Sequence, residues 1–281
     1  KELAATPGKS NKINNIIHNL ETAGAIGAVS ETPEAETSAS SQAEPAAEQG
    51  KSAIADATIQ AIKNEIETWI NNANMPDDAK SSARTVLGAL LTAIRENKIG
   101  FDAKNVEESV KLLFTNIDKN AKTNSWVVYR ALGQLCNCAN NDNTGTYNRL
   151  VNLELLTAIT ENVRLDTDGG YIYLITLCDS AKDDTTKTYN RLVDVALLTT
   201  ITKKAGTDSW RAYSTLATLC DTIALGIVEV KTIKQIEKLF ITIAENAGIN
   251  RLDAFDALLH FLSHTSTDDT GIYKHLLSFN L

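Results

Sequence analysis

The sequence predicts an all-α chain, an α-solenoid of antiparallel helix pairs. Three observations carry that reading. Apolar residues recur at three- and four-residue spacing through most of the chain. No proline follows Pro76, which suits a long succession of helices. Above all, the chain aligns with itself when displaced by 42 residues: "TYNRLV" stands at Thr146–Val151 and again at Thr188–Val193. The same displacement aligns Tyr129, Tyr171, Tyr213 and Phe255. Leu135, Leu177, Leu219 and Phe261 follow, then Cys136, Cys178, Cys220 and Leu262. Leu113, Leu155, Leu197 and Leu239 form another column, as do Ile117, Ile159, Ile201 and Ile243, and Trp126 pairs with Trp210. No gap is needed from about residue 105 to the end. The register predicts at least nine helices and no β-sheet.

The elements follow in order. Residues 1–27 contain "NKINNIIHNL", where Ile13, Ile16, Ile17 and Leu20 make a narrow apolar stripe on a short helix. Residues 28–52 are rich in Ala, Glu, Ser, Thr and Pro, with little to bury, and read as a flexible linker. A helical-repeat domain is expected over 53–281, with a diverged first pair at 53–100 and regular repeats over 105–281. "ATIQAIKNEIETWI" sets Ile59, Ile62, Ile66, Trp69 and Ile70 on one face. "MPDDAK" stops that helix and caps the next, which carries Val86, Leu87, Leu90, Leu91 and Ile94.

Each later unit reads as two helices. Tyr147, Leu150, Val151, Leu155, Ile159 and Val163 mark one first helix; Tyr171, Leu174, Leu177, Cys178 and Ala181 mark the second that follows. The polar turns "KTNSW", "DTDGGY" and "GTDSW" are expected to cap second helices, and "NNDNTG", "KDDTTK" and "STDDTG" first helices. A single pair cannot bury its apolar faces, whereas stacked pairs can.

A helix-pair period of 42 resembles the HEAT and armadillo class of α-solenoids. The resemblance covers residues 53–281 in architecture and 105–281 in register. It implies a curved stack that binds other proteins or builds assemblies.

Charge excludes some functions. Of the net −8, residues 1–50 hold half, with 3 basic and 7 acidic side chains. The near-balanced remainder argues against nucleic acid, which requires a basic face. No apolar run approaches the ~18–20 residues of a membrane span. The chain begins at Lys1 without Met or a signal-peptide plan, so it reads as a processed or trimmed product.

Candidate chemistry is sparse. The column of Cys136, Cys178 and Cys220 should be reduced and buried, because adjacent helices lie about 8–10 Å apart and a disulfide needs about 7 Å or less. Unpaired thiols point to a reducing compartment such as the cytoplasm. Cys138 lies around the helix from Cys136, so "CNC" is a poor metal clamp. His260 and His264 have a zinc-compatible i, i+4 spacing, but their repeat columns hold mostly small or polar residues; His275 and Asp268 are the available third ligands. The acidic turns at Asp142, Asp183, Asp184, Asp268 and Asp269, with Asp166 and Asp168, lack EF-hand spacing and read as caps. Arg149 and Arg191 offer a short basic ladder for carboxylates or contacts within the stack.

No catalytic motif, cofactor site or metal site is expected. The chain reads as a non-catalytic scaffold that holds a protein or peptide in a helical-repeat groove. Its own N-terminal helix or a second copy are candidate partners. The alternatives are a subunit that assembles end to end through its repeats and, less favoured, a helical-repeat enzyme or small-ligand carrier. The candidate interaction residues are Ile13, Ile16, Ile17, Leu20, Arg149, Arg191, Leu277 and Phe279.

Overall fold

The computed structural model describes residues 54–121, 124–162 and 169–265. In chain order the helices are α1 (Asp56–Asn72), α2 (Asp77–Arg95), α3 (Val106–Ala121), α4 (Ser125–Asn141), α5 (Thr146–Leu150) and α6 (Leu153–Asn162). They continue as α7 (Gly169–Asp183), α8 (Thr188–Leu192), α9 (Val195–Ala205), α10 (Ser209–Ala224), α11 (Ile233–Asn246) and α12 (Arg251–Thr265). The chain is all-α: no strand occurs among the described residues, and an isolated parallel bridge joins Gly100 to Asn152.

The helices pack in two layers. One runs α1, α3, α6, α9, α11 and the other α2, α4, α7, α10, α12, each helix against the next of its layer. Across the layers α1 meets α2, α3 meets α4, α9 meets α10, and α11 meets α12. The short α5 sits against α7 and α9, and the short α8 against α10 and α11.

The core lies between the layers, where a buried ring marks each second-layer helix from α4 onward. Tyr129 packs on Phe114 with ring centroids 5.5 Å apart, and its hydroxyl donates to the Phe114 carbonyl at 3.3 Å. The Tyr171 hydroxyl donates to the Leu156 carbonyl at 3.4 Å, and Tyr213 shares a hydrogen bond with Thr202. Phe255 meets Phe240 at 5.7 Å. Leu177, Cys178 and Leu219 are buried too, as the sequence columns predict.

Two expectations need correction. The stretch from Tyr147 onward is not one helix: Val151 is extended (φ −125°, ψ 127°) and separates α5 from α6. Val193 does the same between α8 and α9. The cause is local polar chemistry. The Asn152 and Asp194 side chains accept the N–H groups of Leu155 and Leu197, both at 2.7 Å, and so start new helices. Gly100 adds a tie from afar: its N–H donates to the Val151 carbonyl at 2.7 Å, and its carbonyl accepts from Leu153 at 3.0 Å. Second, Asn124 and Asp208 make no side-chain cap on α4 or α10.

The turns before α5 and α8 carry the same network. Asp142 accepts the Thr144 N–H at 2.9 Å and hydroxyl at 2.6 Å with one oxygen, and the Tyr147 N–H at 3.0 Å with the other. Asp184 accepts from Thr186 and Tyr189 in the same way. Burial raises both carboxyls, but these hydrogen bonds outweigh it and hold them below the ordinary value. The unfolded chain therefore takes up protons first as pH falls. Stability from these turns is fully present above the unfolded value of about 4 and is lost through the lower folded one.

Two outcomes follow for stability. Tyr171→Ala should cost on the order of 3–5 kcal/mol in urea unfolding, as a truncated core aromatic does; a loss below about 1 kcal/mol would place that ring at the surface. Converting Asp142 and Asp184 together to Asn should lower the melting temperature at neutral pH. It should also flatten its fall between about pH 4.5 and 3, and an unchanged acid slope would show that other carboxylates govern it.

Candidate functional site

The outward face of α4 differs from a solvated helix face. Trp126, Arg130, Gln134, Asn137 and Asn141 follow one another at helical spacing and all are exposed. Arg130 is the one charged residue in α4. Trp126 is 39% exposed, an unusual position for the largest aromatic side chain. Between this stripe and α2 runs an open cleft of about 480 Å³. Ser81, Ser82, Thr85 and Val86 line its α2 wall; Trp126, Gly133 and Cys138 are among the residues of its α4 wall.

Sequence sets the cleft's depth. α2 and α4 approach so closely at Gly133 that an added Cβ would stand 3.1 Å from the Val86 side chain. Asn140 fixes the approach by donating to the Ala89 carbonyl across the two helices at 3.1 Å. The floor is therefore apolar, and the rim carries hydroxyls, amides and one guanidinium.

A second aromatic station lies further along the same layer. Tyr173 of α7 and Trp210 of α10 have ring centroids 5.0 Å apart. The Arg211 guanidinium lies 4.2 Å from the Trp210 ring and pairs with Asp256 of α12. The opposite layer looks different. There Lys111 pairs with Glu65, Lys203 with Glu154 at 3.1 Å and Lys204 with Glu245 at 2.8 Å, joining successive helices through exposed charges. Such pairs keep a surface solvated and stabilise it by about 0–1 kcal/mol each. The outward face of α4 thus differs in chemistry from the charged layer.

Sequence candidates fall in several places. Ile13, Ile16, Ile17, Leu20, Leu277 and Phe279 lie outside the described residues, as do Asp166, Asp168, Asp268, Asp269 and His275. Arg149 is half-buried and donates to the Val193 carbonyl, linking α5 to the end of α8. Burial lowers its pKa. Arg191 is exposed. Asp142 and Asp184 are engaged in the turn networks. His260 and His264 are exposed with their Nδ1 atoms 2.9 Å apart. Among the described residues no group of three or more His, Cys, Asp or Glu is arranged to hold a metal ion.

The α4 stripe escaped the sequence reading, although its signal was present: a helix with a long outward face and a single charge. No family model, curated protein or solved structure matches the chain.

The cysteines give a direct check on these environments. All four are unpaired; Cys136, Cys178 and Cys220 are buried, whereas Cys138 is half-buried in the cleft wall. Burial pushes the Cys136 thiol up to about 12 and the Cys178 and Cys220 thiols well above their ordinary value. In the native protein one thiol should react rapidly with a thiol reagent at pH 8, mapping to Cys138, and four should react after denaturation. Rapid native labelling of Cys178 would contradict the packing.

Proposed function

We propose that the chain is a non-catalytic protein-binding scaffold. Its helix pairs form an α-solenoid in the 42-residue register of the sequence, and the α2–α4 cleft presents the binding face to a protein or peptide. One observation carries the reading: Trp126 stands exposed on the outward face of α4, a helix whose one charge is Arg130, while the other layer is laced with Lys–Glu pairs. Trp, Tyr and Arg are the residues that dominate protein interfaces. Trp126, Arg130, Tyr173, Trp210 and Arg211 all belong to helices of this layer.

The cleft's chemistry favours binding over catalysis. Its lining polar groups are hydroxyls, amides, one guanidinium and the Cys138 thiol, and no His, Asp or Glu stands among the lining residues as a base for them. End-to-end assembly through the last repeat rests on residues after Thr265, outside the described residues.

A photo-crosslinking amino acid at Gln134 tests the reading in the cell that makes the protein. It should yield a discrete protein adduct that disappears on Trp126→Ala, which removes about 2 kcal/mol or more if Trp126 anchors the contact. The same crosslinker at Thr115, exposed on the charged layer, should yield none. Equal adducts from both positions, or none from either, would overturn the assignment.

A further inference from the structure

The last described helix, α12, carries two imidazoles on one exposed stripe. His260 and His264 stand four residues apart, one above the other across a single turn. Their repeat columns hold Gln134, Thr176 and Thr218, and Cys138, Ser180 and Thr222, so the pair belongs to this unit alone. Spacing permits the rings to meet, and in the structure they do. The ring centroids are 4.2 Å apart at an interplanar angle of 46°. The two Nδ1 atoms are 2.9 Å apart, and His264 Nδ1 is also 2.9 Å from the His260 carbonyl oxygen. From this convergence we infer that His260 and His264 form a two-imidazole clamp for one divalent cation of the nickel, copper and zinc class. The clamp involves neither wall of the α2–α4 cleft and does not rest on the reading of that cleft.

Three features support the assignment. The first is distance. Metal–imidazole bonds run ~2.0–2.1 Å, so two nitrogens on one ion sit ~2.9 Å apart at a right angle and ~3.3–3.4 Å apart at the tetrahedral angle. The observed 2.9 Å fits the right angle of nickel(II) and copper(II), and a small swing of two exposed rings reaches the zinc geometry. Long side chains ordinarily lose rotamer freedom when a ligand gathers them. Here both are already gathered.

The second feature is the proton. A carbonyl only accepts, so the proton between these groups sits on His264 Nδ1 and faces two acceptors, His260 Nδ1 and the His260 carbonyl. A neutral imidazole holds its one proton on either nitrogen. Moved to Nε2 of the same ring, that proton leaves the His264 Nδ1 lone pair for a cation. The cation then takes the proton's place among the same three atoms, and its remaining coordination positions are left to water.

The third is the local field. His264 lies in the last turn of α12, where the unsatisfied carbonyls of a helix favour positive charge. The helix contains no lysine, and its one arginine, Arg251, stands at the first position and donates to the Ala244 and Ala205 carbonyls. Asp256 lies one turn before His260, with its charge shared with Arg211.

Nickel(II) and the full chain supply the test. At about pH 7.5, calorimetric titration should show one ion bound per chain. His260→Ala and His264→Ala should each weaken that binding at least tenfold, because a shared ion needs both rings. An affinity unchanged in either variant would overturn the clamp; an ion held by Cys138, His18 or His275 would bind all three chains alike. Absence of saturable binding below about 1 mM would overturn it too. A second measurement needs no variant. In imidazole-nitrogen spectra of the isotope-labelled chain, zinc(II), the diamagnetic member of the class, should shift the Nδ1 signals of His260 and His264 together. A shift of one ring alone, or of Nε2 signals only, would place the ion elsewhere and sink the inference.

Discussion

The seating of a ring from each of α4, α7, α10 and α12 against a first-layer helix sets the geometry on which the rest depends. Tyr129 lies on Phe114, and Phe255 on Phe240. The tyrosines bring a second requirement, since a buried hydroxyl without a partner costs roughly 1–3 kcal/mol. Tyr129 and Tyr171 meet it with first-layer carbonyls, and Tyr213 with the Thr202 hydroxyl. Phe255 needs no partner. A hydroxyl seeking an acceptor fixes where along the opposing helix the ring sits, so these contacts set register as well as distance between layers.

Once the inner positions are fixed, each layer has one face left for water, and the two faces diverge. In the first layer Lys–Glu pairs join α1 to α3, α6 to α9 and α9 to α11. Those pairs add little stability and keep the surface wet. In the second layer hydroxyls, amides and the partly exposed Trp126 ring replace them on the α2–α4 side. Solvation does not require Trp126 at 39% exposure, and its ring gains nothing there unless something covers it. The asymmetry is what makes this face a candidate rather than a remainder.

Most of the fold was legible, because burial imposes a period on side chains. Tyr129, Tyr171, Tyr213 and Phe255 are buried, as are Cys136, Cys178 and Cys220, whereas Leu239 and Phe261 of the leucine columns are only partly buried. Backbone continuity was not legible at Val151. A helical period reports which face a residue occupies, and Tyr147, Leu150 and Leu155 share a face whether or not the helix breaks between them. What breaks it is Asn152, a residue that starts a helix better than it continues one, together with Gly100 from fifty residues away. The site was less legible still. Trp126 stood out only as one half of a pair with Trp210, and nothing in one sequence says that α2 leaves a cleft beside it. That depends on Gly133 admitting Val86, a contact between residues 47 positions apart.

The paired turns show how one network serves two different backbones. Before α5 the left-handed position is Gly145, at φ 78°, where glycine carries no penalty. Before α8 the same position is Lys187, at φ 63°, a conformation that costs a non-glycine residue on the order of 1–3 kcal/mol. Asp184, Thr186 and Thr188 hold that turn with the hydrogen bonds that Asp142, Thr144 and Thr146 make in the first. Those bonds over-determine the turn and offset the strain at Lys187. The network ends there. Before α11 no such turn forms: Thr232 and Gln235 cap the helix instead, in a capping box. The carbonyl of Val193, left free at the end of α8, accepts Arg149, whereas the residue in register with Val193, Gln235, caps α11 with its side chain. Arg191 is left on the surface for that reason: the chain end that Arg149 grips has become the first turn of a helix.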